Sequence, residues 1–122
     1  MIGKAYVSVF KYYDLKTSKM AFKKRPVLVI GEADQSDYVV LPISRVTRKE
    51  NLHPYYDFEV KKEEYDLLNL TQTSYVRTHK QSVIHEGELI KEIVDMKQSY
   101  PDAYREIIRR VGEFQRELIE KA

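Results

Sequence analysis

The sequence predicts one mainly β domain, residues 1–122, closed by a C-terminal α-helix. Three observations predict it. Up to about Met96 the apolar residues fall in short alternating or β-branched runs separated by polar stretches, the pattern of strands and their connections. Beyond Ser99 they recur at intervals of three and four, the period of a helix. The length of 122 residues is that of one ordinary domain, and no linker, internal repeat or low-complexity tract divides it. Several strands followed by one helix pack as an antiparallel sheet with the helix laid against it.

Each element has its own signal. Lys4–Phe10 alternates, with Ala5, Val7 and Val9 on one face and Tyr6, Ser8 and Phe10 on the other, so it reads as a half-buried strand. Lys11–Arg25 is polar and basic and reads as a long loop. Pro26–Ile30 is a buried strand stopped by Gly31, and Glu32–Asp37 is a turn. Tyr38–Ile43 is a second buried strand in which Pro42 marks a strand end or a bulge. Ser44–Tyr55 is a second long loop. Asp57–Val60, Thr73–Thr78 and Ser82–Ile84 read as short strands, and Lys62–Leu68 as one or two helical turns. Ile90–Met96 reads as the last strand, although its pattern also permits a helix. Ser99, Pro101 and Asp102 look like a helix start: a capping hydroxyl, a proline in the first turn and a carboxylate three residues on. Tyr104, Ile107, Ile108, Val111, Phe114 and Leu118 then form one apolar stripe, expected to pack on the sheet.

Composition narrows the function. Apolar residues make up 43% of the chain, enough for one core, and disorder is not expected. The chain has no cysteine, which excludes disulfides, thiolate metal sites and cysteine nucleophiles. No apolar run reaches the ~20 residues that span a bilayer, and Met1–Phe10 lacks the apolar core of a signal peptide. A cytoplasmic protein without a membrane partner is expected. A net charge of +2 means that any polyanion site must come from local clustering. Phosphate-loop, dinucleotide-binding, metalloprotease and nucleophile-elbow motifs are all missing. His53, His79 and His85 lack metal-ligand spacing, so neither metal nor cofactor is expected.

Two stretches carry clustered cations. One runs from Lys16 through Lys19 to Lys23, Lys24 and Arg25; the other holds Arg45, Arg48 and Lys49, with His53 nearby. Brought to one rim and interleaved with Tyr12, Tyr13, Tyr55 and Tyr56, they would suit single-stranded RNA, cations on phosphates and aromatic faces on bases. On composition alone, solvated loop lysines are the commoner account of such charges.

An ordered set of motifs resembles the MazF/PemK toxin family. Lys23-Lys24-Arg25-Pro26-Val27-Leu28-Val29-Ile30 is similar to its second strand, after an opening strand near Gly3. Val39-Val40-Leu41-Pro42-Ile43-Ser44 resembles the third strand, which ends in threonine or serine. Asp57–Val60, the segment from Leu70 to Thr78, and Ile93 to Leu118 resemble the strand after the variable loop, the second group of site residues and the closing strand with its helix. The resemblance implies an SH3-like small β-barrel, usually a homodimer, acting as a sequence-specific endoribonuclease that needs no metal and is neutralised by a cognate protein antitoxin.

In such chemistry the 2′-hydroxyl of RNA attacks the adjacent phosphate, which asks for a base, an acid and a cation on the phosphorane. The resemblance implies Arg25 as the cation and Ser44 as a phosphate ligand. Ser74 stands where some members carry a carboxylate, and His79, close to neutrality in its ordinary pKa, is a candidate acid or base. Lys19, Lys23, Lys24, Arg45 and Arg48 are expected to contact RNA; Arg77 matches an arginine that serves there, in structure or at the dimer interface. Asp14–Lys19 stands where the family's first loop usually has an acidic tip, so the acid/base pair is open. The alternative is a barrel that binds RNA or docks a partner without cutting.

Overall fold

Two long strands carry the molecule: β1 (Lys4–Asp14) and β2 (Lys19–Asp34), joined by a tight turn in which the Lys16 N–H donates to Asp14 Oδ1 at 2.9 Å. β3 (Asp37–Ser44), β4 (Asp57–Val60), β5 (Ser74–Arg77), β6 (Ser82–His85) and β7 (Leu89–Asp95) follow, then a single turn α1 (Met96–Ser99) and the long helix α2 (Pro101–Lys121). The computed structural model describes residues 1–122, the side chain of Phe10 excepted; the expectation that this side chain shares a face with Tyr6 and Ser8 lies outside the described residues. The strands form one antiparallel sheet, in the order β4-β5-β3-β2-β1-β7 with β6 on β3, curled into a half-barrel with α2 packed inside the curl.

The inner half of β2 and the middle of β3 are covered on both faces, which is why Pro26–Ile30 and Tyr38–Ile43 read as nearly continuous apolar runs. Ala5, Leu28, Leu41, Ile43, Val60 and Val76 meet Met96, Tyr104, Ile107 and Val111 in the main core. The alternate residues Tyr6, Val27, Val29 and Val40 form a second core with Ile84. Gly3 has φ +89°, and a Cβ there would meet Lys97 Cβ at 2.7 Å, so only glycine closes β1 onto α1.

Several expectations are corrected. Lys11–Arg25 is not a loop: its two halves pair from Asp14↔Lys19 inward, and β2 runs on to Asp34. Gly31 does not stop β2; it pairs with Val39 just after a bulge in which Ile30 is the extra residue. Ser99 is not the helix cap. Asp95 caps α1 by accepting from the Gln98 N–H, and Tyr100 separates the two helices because Pro101 disfavours helical backbone in the residue before it. On α2, Tyr104, Ile107 and Val111 are buried, whereas Ile108 and Leu118 lie in solvent. Asp57–Val60 matches β4, and Thr73–Thr78, Ser82–Ile84 and Ile90–Met96 each lie within two residues of β5, β6 and β7.

Pro42 has the consequence that matters most. It pairs with Val27 at the end of the β2–β3 ladder, and because it has no N–H to donate, the ladder goes no further. Beyond it β3 runs on without β2, held on its other edge by β5 through Ile43↔Val76 and Ser44↔Tyr75. The two strands therefore splay, and β2 keeps an open edge from Pro26 back to Lys19.

Candidate functional site

The splay opens a groove of about 820 Å³. Lys23 through Pro26, four consecutive residues along the open edge of β2, form one wall, and Ile43, Ser44 and Arg45 at the end of β3 form the opposite one. Leu68 to Gln72, with Ser74, and residues 91–93 of β7 complete it. Six of the ten site residues expected from the sequence are thus brought together: Lys23, Lys24, Arg25, Ser44, Arg45 and Ser74. Lys91 adds a fifth cation, and the lining holds a single carboxylate, Glu92, whose Oε1 accepts from Lys4 Nζ at 3.2 Å. Charge is near balance over the whole chain, so this concentration of positive charge is local, and a concave wall focuses it.

The residues differ in how free they are. Arg25 is half-buried opposite Ser8 and makes no ion pair among the described residues, so its guanidinium is available to a ligand. Ser44 is half-buried at the mouth. Ser74 is 3% exposed and its hydroxyl already donates to the Gln72 carbonyl at 3.1 Å, which fixes the turn entering β5.

Arg77 and His79 are elsewhere. Along β5 the side chains alternate, so Ser74 and Val76 point inward while Arg77 takes the other face. Its Nε and Nη2 donate to the two oxygens of Asp57 at 2.9 and 3.2 Å, and Nη2 also reaches the Asn51 carbonyl at 3.0 Å. The Asp57 side chain is 1% exposed and takes a further bond from the His53 N–H at 2.8 Å. His79 packs on Tyr56 and Phe114 of α2, its Nδ1 buried without a hydrogen-bond partner and 3.9 Å from Asp57 Oδ1. Tyr55 and Tyr56, expected among RNA-stacking aromatics, are used inside: Arg110 lies over the Tyr55 ring, and Tyr56 Oη donates to Glu117 at 2.8 Å, which pushes its hydroxyl up to about 12. Lys19 lies at the tip of the hairpin and Arg48 on the loop after β3, both outside the groove lining.

This cluster gives the fold an acid sensitivity. Burial, its largest influence, holds the His79 imidazole below its ordinary value of 6.5, against the opposing pull of Asp57. The unfolded chain thus takes up this proton at a higher pH than the folded one. The stability in question is complete above pH 6.5 and is lost as the pH falls from there towards the folded-state pKa. Urea unfolding at a series of pH values from neutral down to about 5 is expected to show this decline, and His79→Gln to flatten it.

Lys91 and Glu92 were missed from the sequence. They sit in a strand of mixed polarity, and nothing local announces that β7 returns beside β1 to border a groove made by β2 and β3. No known family model matches the chain, and no curated protein matches it.

Proposed function

We propose that the protein is a metal-independent endoribonuclease of the MazF/PemK kind, its curled sheet an SH3-like barrel and its groove the site where single-stranded RNA is cut. The observation that supports this reading is the convergence of Lys23, Lys24, Arg25, Arg45 and Lys91 around one carboxylate and one free serine hydroxyl. Phosphates on either side of the scissile bond are neutralised by the lysines and Arg45. Arg25 grips two oxygens of the reacting phosphate, as a planar guanidinium can and an ammonium cannot. Ser44 donates to the same phosphate. The 2′-hydroxyl oxygen forms its bond to phosphorus while the bond from phosphorus to the 5′ oxygen breaks. Glu92, held by Lys4, accepts the 2′-hydroxyl proton, and the departing 5′ oxygen takes one from solvent at the open mouth. The products are a 2′,3′-cyclic phosphate and a 5′-hydroxyl. A homodimer and a cognate protein antitoxin seated over the groove complete the proposal.

A second reading draws on one observation: Glu92 is ion-paired and the Ser74 hydroxyl is committed, so the same groove can hold RNA without cutting it. Purified protein incubated with long unstructured RNA in EDTA separates the two. Discrete cuts bearing 5′-hydroxyl ends are expected. RNA that is retained on the protein yet stays intact would replace the nuclease by the binding module.

A further inference from the structure

The β1–β2 hairpin outgrows the sheet. β7 accompanies β1 only from Lys4 to Ser8, and β3 accompanies β2 only from Val27 onward. From Val9 and Lys24 to the turn the hairpin is a free two-stranded arm about 20 Å long. Its ladder runs without a bulge from Ala5↔Leu28 to Asp14↔Lys19, so the two faces keep their identity along its length. The face that puts Ala5 and Leu28 in the main core continues outward as Val7 with Pro26, Val9 with Lys24, Lys11 with Phe22, and Tyr13 with Met20.

That face has a definite chemistry. Val7, Lys24 and Pro26 border the groove from this face, as Lys23 and Arg25 do from the other, so the row beyond them continues one side of the groove wall. Phe22 is 66% exposed, Met20 59% and Tyr13 55%, an uncovered apolar and aromatic strip. Lys11 and Lys24 are interleaved with it, and no acidic residue shares the face; Asp14 stands on the other row with Tyr12 and Lys19. Phe22 on β2 and Tyr13 on β1 are diagonal neighbours in successive rows, about 7–8 Å apart and so roughly twice the ~3.4 Å stacking distance, which leaves space for one base between them. Cations alternating with exposed ring faces along a strip match single-stranded nucleic acid, whereas an acyl-chain surface would favour cations at the border of the strip over cations within it.

We propose that this arm face is a stacking platform for the RNA that leaves the groove, with one base held between Phe22 and Tyr13 and with Lys11 and Lys24 on the flanking phosphates. The proposal rests on the RNA groove described above and adds to it a footprint of about three nucleotides.

The chain contains no tryptophan, so Phe22→Trp introduces a single fluorescent reporter. With Glu92→Gln in the same chain to suppress cutting without weakening binding, oligouridylates that fill only the groove are compared with ones about three nucleotides longer. The longer RNA is expected to quench the reporter, and to bind more tightly than the short one by about tenfold per stacked base. Tyr13→Ala with Phe22→Ala, checked for its fold by circular dichroism, is expected to abolish the gain with length, and Tyr12→Ala on the opposite row to keep it. Long RNA that binds by anisotropy without quenching, and a length gain that survives the double substitution, would overturn the platform and leave the groove standing. Absence of RNA binding at every length would overturn both. Quenching by anionic phosphatidylserine vesicles in place of RNA would reassign the arm to a membrane surface.

Discussion

Replacing Arg25 by alanine is expected to lower the rate of RNA cleavage by at least about a hundredfold, the usual effect of removing one charged group that stabilises a transition state. The fold is expected to survive, because Arg25 makes no ion pair among the described residues and its removal strands no buried partner. Arg25→Lys keeps the charge and loses the fork, so it is expected to fall between the parent and the alanine variant. Glu92→Gln tests the other half of the chemistry: the carboxamide fills the same space but takes no proton, and the rate is expected to drop while RNA affinity holds or rises. Single-turnover cleavage of an end-labelled RNA reads all three. An Arg25→Ala protein that cuts at the parental rate would remove the groove from the reaction.

The largest loss of stability is expected at Arg77. Arg77→Ala leaves the Asp57 carboxylate, 1% exposed, without its two guanidinium bonds. Stranding one member of such a pair costs about 3–5 kcal/mol, a large part of what holds a domain of this size folded. The midpoint of urea unfolding is expected to fall accordingly, and Arg77→Lys to recover only part of the loss, since one ammonium cannot serve both oxygens at the arginine's geometry. Were Arg77→Ala to unfold like the parent and instead lose RNA affinity, the arginine would belong to the RNA site and the structural assignment would be wrong. The cluster that Arg77 anchors seats α2 as well: Arg110 donates to the Tyr55 carbonyl at 2.8 Å, and Phe114 stands edge-on to Tyr56 at 5.2 Å.

The hairpin arm shows where a local pattern stops being informative. Strand signals come from one face being buried. On the arm neither face is covered among the described residues, so Lys11, Lys16, Lys19, Lys23 and Lys24 interrupt the alternation, and the stretch looks like a solvated loop. Its strand state is set by the turn at Asp14–Lys19 and by continuity with the paired inner half. The same reasoning applies to α2, where periodicity placed the stripe but could not trim Ile108 and Leu118 from it, because the width of the buried stripe is set by how far the sheet reaches.

What the sequence by itself determined is local and periodic: one domain of strands followed by a helix, the buried strands around Pro26–Ile30 and Tyr38–Ile43, the short strands from Asp57 onward, the position of α2, and the special character of Pro42. It also supplied, through a resemblance, a set of cations and serines to look for. The tertiary structure decided which of these meet. Pro42 ends the β2–β3 ladder while β3 stays paired to β5 on its other edge, so Lys23 to Arg25 face Ser44 and Arg45 across an opening, with Lys91 and Glu92 brought in from a strand more than forty residues further along the chain. Alternation along β5 sends Arg77 away from Ser74 and into a buried pair with Asp57. Short-range order follows from the propensity and period of neighbouring residues; a site follows from pairings between distant strands, and these are fixed by which faces the whole core can bury.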